Sequence, residues 1–465
     1  MNDQAVNEAP PEHDDATFTS IEVGALGSFT GGVALTFATR LLMLLGVIGS
    51  SVIAARWLGP EGFGTLAVLN ATVALALQIC SAGLPSANTY FIAKDRRSLG
   101  PVWANSVAFA LVAGSLLSVG VVLLAEIKPA LFGGVPANLL AIAAASIPFQ
   151  LLTLLGLNVL LAMGRIGQLN LIDSLSPALA LVNTVVVLVV LRFRLTALVS
   201  FNTGAAIVLS LILVWVIARL LSRQKAGQAC RPDFPLLGKV LEYGVKFYIS
   251  ILAGVVIFRA DLLFVNHFRG TSEAGVYAIA AQVSFLLMML PGVIAALLFP
   301  RVASDQDQRA EFAIRVTRHT SFVMLMMCLA AAAGSFLLPL IYGPRFADAT
   351  IQLLILLPGI YLFGIESVLV QHFTGTGLPV TIPVFWLITL AINLILNLAL
   401  VPTYGARGAA LASSLSYSLI FVFVAVFFCR KTERRPAEIF LLRRGELRDL
   451  LVRVGFAASP GKVHE

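Results

Sequence analysis

Three cations stand inside long apolar runs of this chain: Arg40, Arg259 and Lys246. A charge at the centre of a bilayer costs about 2.5 to 3.5 kcal/mol on insertion scales, so such a residue needs a purpose or a partner. An Arg guanidinium is a planar fork that holds two phosphate oxygens at once, whereas Lys is a point charge on a flexible stem. Arg40 falls 11 residues into the run that begins at Phe29, roughly 16 Å along a helix and near the midplane on that count. Arg259 falls 14 residues after Val245, roughly 21 Å along its helix and somewhat past the middle. Lys246 opens the same run and can snorkel to the headgroups. The plain reading of each Arg is a pair with a carboxylate, or a capped carbonyl, inside its own bundle. The functional reading is a cationic cavity.

The carboxylates in apolar runs are Asp173, Asp261 and Glu366, with Glu242 just before such a run. Asp261 is two residues from Arg259, so on a helix the two project about 200° apart; one is expected to face a cavity and the other the bundle. Asp173 reads as an interfacial N-cap. Glu366 lies deep in its run and is the first candidate for a protonatable coupling group, Asp261 the second; the alternative for Glu366 is a buried pair with an Arg. Cys80, Cys230, Cys328 and Cys429 stand singly, without the spacing of a metal or redox site. There is no Walker motif, nucleotide-binding glycine fingerprint or zinc helix, so no cofactor, metal or catalytic residue is expected.

The elements that must position these residues are membrane helices. Of 465 residues, 58% are hydrophobic and only 12% charged, against roughly 25% charged in soluble domains. The apolar residues fall into twelve runs near the length of about 20 that a helix needs to cross the hydrocarbon core. The first six are Phe29 to Leu58, Gly64 to Ala93, Pro101 to Glu126, Asn138 to Met163, Leu171 to Leu191 and Ala197 to Leu221. The second six are Val245 to Phe268, Ala274 to Pro300, Val316 to Tyr342, Ala349 to Gly375, Thr381 to Val401 and Ala406 to Cys429. The expected organisation is a polar N-terminal tail (1–28), an N-terminal lobe (29–222), a basic linker (223–235), a C-terminal lobe (236–429) and a basic tail (430–465). The acidic first 28 residues do not read as a signal peptide.

The net charge of +8 does not point to nucleic acid, because Lys and Arg cluster in short segments between apolar runs without interleaved aromatics. Counted on alternate sides, they divide 22 to 7, which by the positive-inside rule places both termini in the cytoplasm. The tail after Arg430 mixes Arg with Leu, Ile and Val in the manner of a basic amphipathic helix at an anionic leaflet, or of a solvated helix.

A faint internal repeat links the halves. At an offset of 211, Gly59 falls on Gly270, Gly64 on Gly275 and Ala67 on Ala278. Each copy occupies a tight outer turn where glycine supplies backbone freedom and close helix approach. Six spans separate the copies, so the halves run parallel about an axis along the membrane normal. The architecture expected is all-α, with about twelve transmembrane helices in two six-helix lobes around a central cavity.

The first copy, Ala55-Arg56-Trp57-Leu58-Gly59-Pro60-Glu61-Gly62-Phe63-Gly64, closely resembles the turn after the first helix of bacterial polysaccharide and O-antigen flippases. These belong to the multidrug, oligosaccharidyl-lipid and polysaccharide exporter superfamily. Arg259-Ala260-Asp261 followed by Gly275-Val276-Tyr277, then Ile341-Tyr342-Gly343 with Phe346, are similar to the same family. So are Asn397-Leu398 and Pro402-Thr403-Tyr404-Gly405 before Gly408-Ala409-Ala410. The resemblance spans roughly Phe29 to Cys429. It implies a multi-pass protein of the bacterial inner membrane, an alternating-access carrier that moves undecaprenyl-diphosphate-linked sugar units from the inner to the outer leaflet. Its implied partners are the lipid-linked oligosaccharide, membrane lipids, a coupling proton or sodium ion, and polysaccharide assembly proteins.

On that reading Arg40, Arg259 and Lys246 would hold the diphosphate, and Gln150, Asn158, Asn170, Asn183, Asn393 and Asn397 could meet sugar hydroxyls, although helix-to-helix hydrogen bonding is the plainer role for each. Two other classes compete. A cation-coupled multidrug exporter would share the fold but not the Gly59-Pro60-Glu61-Gly62-Phe63-Gly64 turn. A polytopic polymerase or ligase would need a large outer loop for its catalytic groups, whereas connections such as Ile127 to Ala137 are short.

Overall fold

The computed structural model describes the backbone of residues 15–223, 231–295, 310–375 and 379–436. Side chains are described from Met43 onward within these ranges, apart from Arg223, Lys246 and Phe247. Residues 1–14, 224–230 of the linker and the tail from 437 on lie outside the described residues. Among the described residues there is no strand. The helices are α1 (Asp15–Ser81), α2 (Leu84–Lys94), α3 (Leu99–Ile127), α4 (Ala137–Ala144), α5 (Ile147–Ala162), α6 (Ile166–Thr184) and α7 (Leu195–Arg223). The second half holds α8 (Phe234–Arg269), α9 (Thr271–Leu287), α10 (Glu311–Gly334), α11 (Leu338–Tyr342), α12 (Ala349–Gly375) and α13 (Thr381–Thr432).

Ten helical stretches among the described residues are long and apolar enough to cross a membrane. Two of them supply two crossings each. In α13 the backbone leaves the helix at Gly405 (φ 60°, ψ −140°), and Asn393 Nδ2 donates to Ser416 Oγ at 3.1 Å, a contact impossible on a straight rod, where 23 residues span about 35 Å. In α1 the break is at Gly59 (φ 68°, ψ −178°), and residues of both arms, Val47 and Asn70 among them, line one cavity. Twelve crossings result. Exposed apolar side chains follow helical spacing, as Val112, Leu116, Val119 and Leu123 do on α3; these faces meet lipid.

Gly270, between α8 and α9, has φ 86° and ψ 174°, the conformation of Gly59. Only glycine enters this region without strain, so the repeated residue marks a repeated turn. The two turns also touch. A Cβ on Gly64 would sit 1.7 Å from the Thr271 carbonyl oxygen, and a Cβ on Gly275 would sit 2.1 Å from the Pro60 carbonyl oxygen. At the offset of 211, Pro60 corresponds to Thr271 and Gly64 to Gly275, so the contact is reciprocal about a pseudo-twofold axis.

Two flanking loops repeat the reciprocity. The α3–α4 connection docks on the end of α8, where Asn266 Nδ2 donates to the Phe132 carbonyl at 2.6 Å. The segment 335–346 docks on the end of the first arm of α1, where Arg56 donates to the Ile341 and Leu340 carbonyls at 2.7 and 2.6 Å. Phe63 stacks edge-on against Phe346 at 6.1 Å. The lobes are therefore fastened together on the Gly59 face. On the opposite face they touch along one flank: Gly83 packs on Gly244, and Asn105 and Asp233 exchange hydrogen bonds at 2.7 and 2.8 Å.

Several boundaries differ from the sequence expectation. α8 begins at Phe234, not Val245, because the Asp233 carboxylate accepts from Leu236 N at 3.0 Å and Pro235 fits the first turn. Glu242 is thus inside the helix. Asp173 is likewise inside α6 and is not its N-cap, which is Arg165. The run from Val316 to Tyr342 is one crossing, as expected, but beyond Gly334 it tightens into a 3-10 turn and the short α11, and this end docks on α1. The run from Asn138 to Met163 is divided at Ala145 and Ser146, with Pro148 placed in the first turn of α5, where its missing N–H is harmless.

Candidate functional site: the cavity between the lobes

A cavity of about 490 Å³ lies between the halves, beneath the fastened Gly59 face. From the N-terminal half come Ser50, Ser51 and Asn70 of α1, Thr184 of α6 and Asn202 of α7. From the other half come Arg259 and Asp261 of α8, Tyr277 and Gln282 of α9, and Tyr417 of α13. The wall contributed by the N-terminal half is neutral among the described residues; charge comes from α8.

Arg259 is exposed to the cavity and forms no ion pair or hydrogen bond with another described residue. Gly270 fixes its depth: 11 residues before that turn is about 16 Å below the Gly59 face. Asp261, two residues further on, is turned toward the bundle and is 2% exposed. Its Oδ2 accepts from Tyr277 OH at 2.9 Å and from Ser413 Oγ, and its Oδ1 accepts from Asn397 Nδ2 at 3.5 Å. Asn397 is itself bonded to the Asn393 carbonyl at 3.0 Å. The carboxylate is thus held by neutral donors from α9 and from both arms of α13, which replace the water it lost on burial. Both residues belong to the cavity wall, but Arg259 is exposed within it while Asp261 is buried in a hydrogen-bonded cluster.

Glu366 is elsewhere. It lies on α12, 1% exposed, beside a separate cavity of about 570 Å³ with Ser367, Gln371, Gly292 and Trp386. Its Oε1 has no hydrogen-bond partner among the described residues, and the buried pair with an Arg is absent among them. An aromatic wall divides this cavity from the central one: Phe363 contacts Phe258, Tyr417 and Trp386 at centroid distances of 5.1, 5.4 and 5.9 Å. The two candidate coupling carboxylates are therefore not one site.

The side chains of Arg40 and Lys246 lie outside the described residues. Their backbone positions are informative. Arg40 stands 19 residues before Gly59, so it is about 12 Å further from the Gly59 face than Arg259 is from the matching turn. The count from Phe29 set it too near the midplane, because α1 begins well before that residue. Lys246, 24 residues before Gly270, is near the opposite face. Of the motif residues, Gly59 makes the turn, Pro60 and Gly62 lie in the turn that follows, and Gly64 and Gly275 make the contact between lobes.

Of the amides singled out by sequence, Asn393 and Asn397 serve the Asp261 cluster, and Asn158 bonds the Leu154 carbonyl of its own helix at 2.9 Å. Asn183 donates to Asn202 Oδ1 at 3.1 Å. Sequence reasoning passed over Asn70 and Asn202, which line the cavity, and Ser413 and Tyr417.

Comparison with known proteins agrees with this architecture. The chain is similar to the lipid II flippase MurJ in an inward closed conformation, with a TM-score of 0.72 and 15% identity over 92% of this chain and 94% of that one. It is also similar to an inward-facing multidrug resistance MATE transporter of the MOP superfamily, with a TM-score of 0.71 and 13% identity over 86% and 98%. At these identities the likeness establishes the fold.

Among curated proteins, the probable flippase AglR of Haloferax volcanii is 29% identical over 34% of this chain and 35% of its own length. The succinoglycan biosynthesis transport protein ExoT of Rhizobium meliloti is 26% identical over 64% and 59%. The matched portions thus cover between about a third and three fifths of these relatives. A family model described as "Polysaccharide biosynthesis protein" matches residues 29–306, more than half of the chain. This multi-pass membrane chain, with its glycine-sealed pair of lobes, belongs to that polysaccharide biosynthesis protein family.

Proposed function

We propose that this protein is a flippase that carries undecaprenyl-diphosphate-linked oligosaccharide units from the inner to the outer leaflet by alternating access. The observation that supports it most directly is Arg259: a guanidinium in a cavity between two lobes, without a protein counter-ion among the described residues. A cation at that depth is stabilised by an anion, and the Arg fork suits diphosphate oxygens. With the termini cytoplasmic, as the charge bias suggests, the fastened Gly59 face is the exterior. The cavity then loads from the inner leaflet, the diphosphate docks on Arg259, and the polyprenyl chain stays in lipid. Arg40 and Lys246, nearer the cytoplasmic face, would meet the headgroup on entry.

Release outward requires the reciprocal contacts at Gly64 and Gly275 to part while the opposite face closes. Energy for this cycle is assigned to a proton or cation taken up at Asp261, or at Glu366. Asp261 has a ready-made polar shell of Tyr277, Ser413 and Asn397; Glu366 has an unsatisfied oxygen beside a cavity. No covalent bond of the substrate is made or broken in this mechanism.

The test is complementation of glycan export in cells lacking the transporter, with Arg259→Ala and Arg259→Lys. Loss by Ala at normal membrane abundance, with partial rescue by Lys, is the expected result, since Lys keeps charge but not the fork. Full export by Arg259→Ala would remove this residue from the substrate site.

A further inference from the structure

A second recess of about 260 Å³ opens beside the central cavity on its N-terminal wall, between the second arm of α1, α5 and α7. Leu66, Asn70 and Asn202 line both spaces. Gln150, Ser146 and Thr203 complete its polar side, and no charged side chain lines it among the described residues. We propose that this recess is the glycan subsite, and that it takes an uncharged, hydroxyl-bearing sugar while the diphosphate rests on Arg259; the proposal rests on the flippase reading.

The argument is one of unused bonding capacity. The Asn70 side chain is exposed and makes no hydrogen bond to another described residue. Gln150 spends Nε2 on Ser146 Oγ at 2.7 Å and keeps Oε1. Asn202 accepts from Asn183 at Oδ1, which fixes its plane and leaves Nδ2 to donate. An amide presents both a donor and acceptors, which is what a sugar hydroxyl, itself donor and acceptor, requires. Asn158, Asn393 and Asn397, by contrast, spend their Nδ2 donors inside the protein.

Position agrees with chemistry. Asn70 is 11 residues after Gly59 and Arg259 is 11 residues before Gly270, so the two stand at the same depth on facing walls. Asn202 is 10 residues after Arg192, a turn residue with φ 55° on the same face. A sugar joined to a diphosphate on Arg259 can therefore reach the amides without changing depth. The recess has the volume of roughly nine waters, enough for a hexose ring. Without a cation in it, a carboxylated sugar would lose hydration and gain no partner.

The experiment measures binding to the full-length protein in nanodiscs by native mass spectrometry. The probes are undecaprenyl diphosphate, undecaprenyl-diphosphate-galactose and undecaprenyl-diphosphate-glucuronic acid. Wild type is expected to bind the galactosyl lipid about tenfold more tightly than the sugar-free lipid, as two or three net hydrogen bonds allow, with no such gain for the glucuronyl lipid. Asn70→Ala and Gln150→Ala should erase the galactosyl gain and leave sugar-free binding unchanged, while Arg259→Ala weakens both. Asn70 is exposed, so its truncation tests the idea even if Gln150→Ala fails to fold.

Equal binding of sugar-free and galactosyl lipids by wild type overturns the subsite while leaving the flippase reading intact. So does parallel weakening of both lipids by Asn70→Ala, or a galactosyl gain that survives in that variant. A glucuronyl lipid bound as tightly as the galactosyl one overturns the assignment to neutral sugars. Wild type that retains none of the three lipids overturns the flippase reading and this subsite together.

Discussion

Gly64→Ala should drive the lobes apart on the Gly59 face. The added methyl would lie 1.7 Å from the Thr271 carbonyl oxygen and 2.8 Å from Gly275 N, both backbone atoms of the opposite lobe. Relief to an ordinary contact near 3.4 Å needs a separation of roughly 1.7 Å, too much for a rotamer change because no side chain is involved. Overpacking of this kind costs about 1 to 3 kcal/mol. The clash exists only while the face is closed, so the whole amount acts on the equilibrium between closed and open, a shift of about 5- to 150-fold.

Spin labels on cysteines placed at Leu131 and Leu340, both exposed on this face, would read the shift as a longer distance population by pulsed electron resonance, after replacement of the native cysteines. Gly275→Ala, whose methyl would meet the Pro60 carbonyl oxygen at 2.1 Å, should act alike. Gly62→Ala is the control, since the atoms nearest its methyl all belong to the Leu58 side chain of its own lobe. An unchanged distance distribution in folded Gly64→Ala protein would refute the claim that this contact holds the face shut.

Three further outcomes are expected. Arg259→Ala should abolish glycan export at wild-type abundance, with Lys restoring part of it, measured by complementation and membrane immunoblot. Asp261→Asn, which keeps the shape but exchanges an acceptor for a donor facing Tyr277 and Ser413, should remove the response of transport to an imposed proton or sodium gradient. If Glu366→Gln leaves both transport and gradient dependence as in wild type, coupling belongs to Asp261 alone. A single cysteine in the tail after Arg430 should resist an impermeant thiol reagent in intact cells and react after lysis; ready labelling in intact cells would invert the topology.

The fold was readable where a residue type has a single backbone use. Gly59 and Gly270 announced equivalent turns because few other residues tolerate their φ, and a repeat of such residues carries its geometry with it. Length and hydropathy supplied the crossings. What hydropathy did not show was docking: segment 335–346 buries Leu338, Tyr342 and Phe346 and offers the Leu340 and Ile341 carbonyls to Arg56 of α1, while Phe336, Leu337 and Leu340 stay exposed. The start of α8 was legible after all, since Asp233 followed by Pro235 is a cap and first-turn signature that the hydropathy of the later residues overshadowed.

The site was less readable because its partners come from distant sequence. Asp261 and Arg259 were visible as charges in apolar runs, but Tyr277, Asn397 and Ser413 reach Asp261 across 16, 136 and 152 residues. Hydroxyl side chains are unremarked in a membrane helix until the fold gives them a shared neighbour, and Asn397, though visible as an amide, gave no sign of the carboxylate it would meet. Glu366 carried the same sequence signal as Asp261, and only the aromatic wall of Phe258, Phe363 and Tyr417 separates their roles.

The seal at the Gly59 face has the logic of an isologous dimer interface, in which one patch meets another copy of itself. The Pro60 carbonyl covers Gly275, and the Thr271 carbonyl covers Gly64. In a dimer of identical half-molecules symmetry would maintain that fit without effort; here two diverged halves of one gene must maintain it. The halves are therefore not free to drift independently at these positions. A bulkier residue at Gly64 is tolerable only if the backbone at Thr271 withdraws, and the same holds for Gly275 and Pro60.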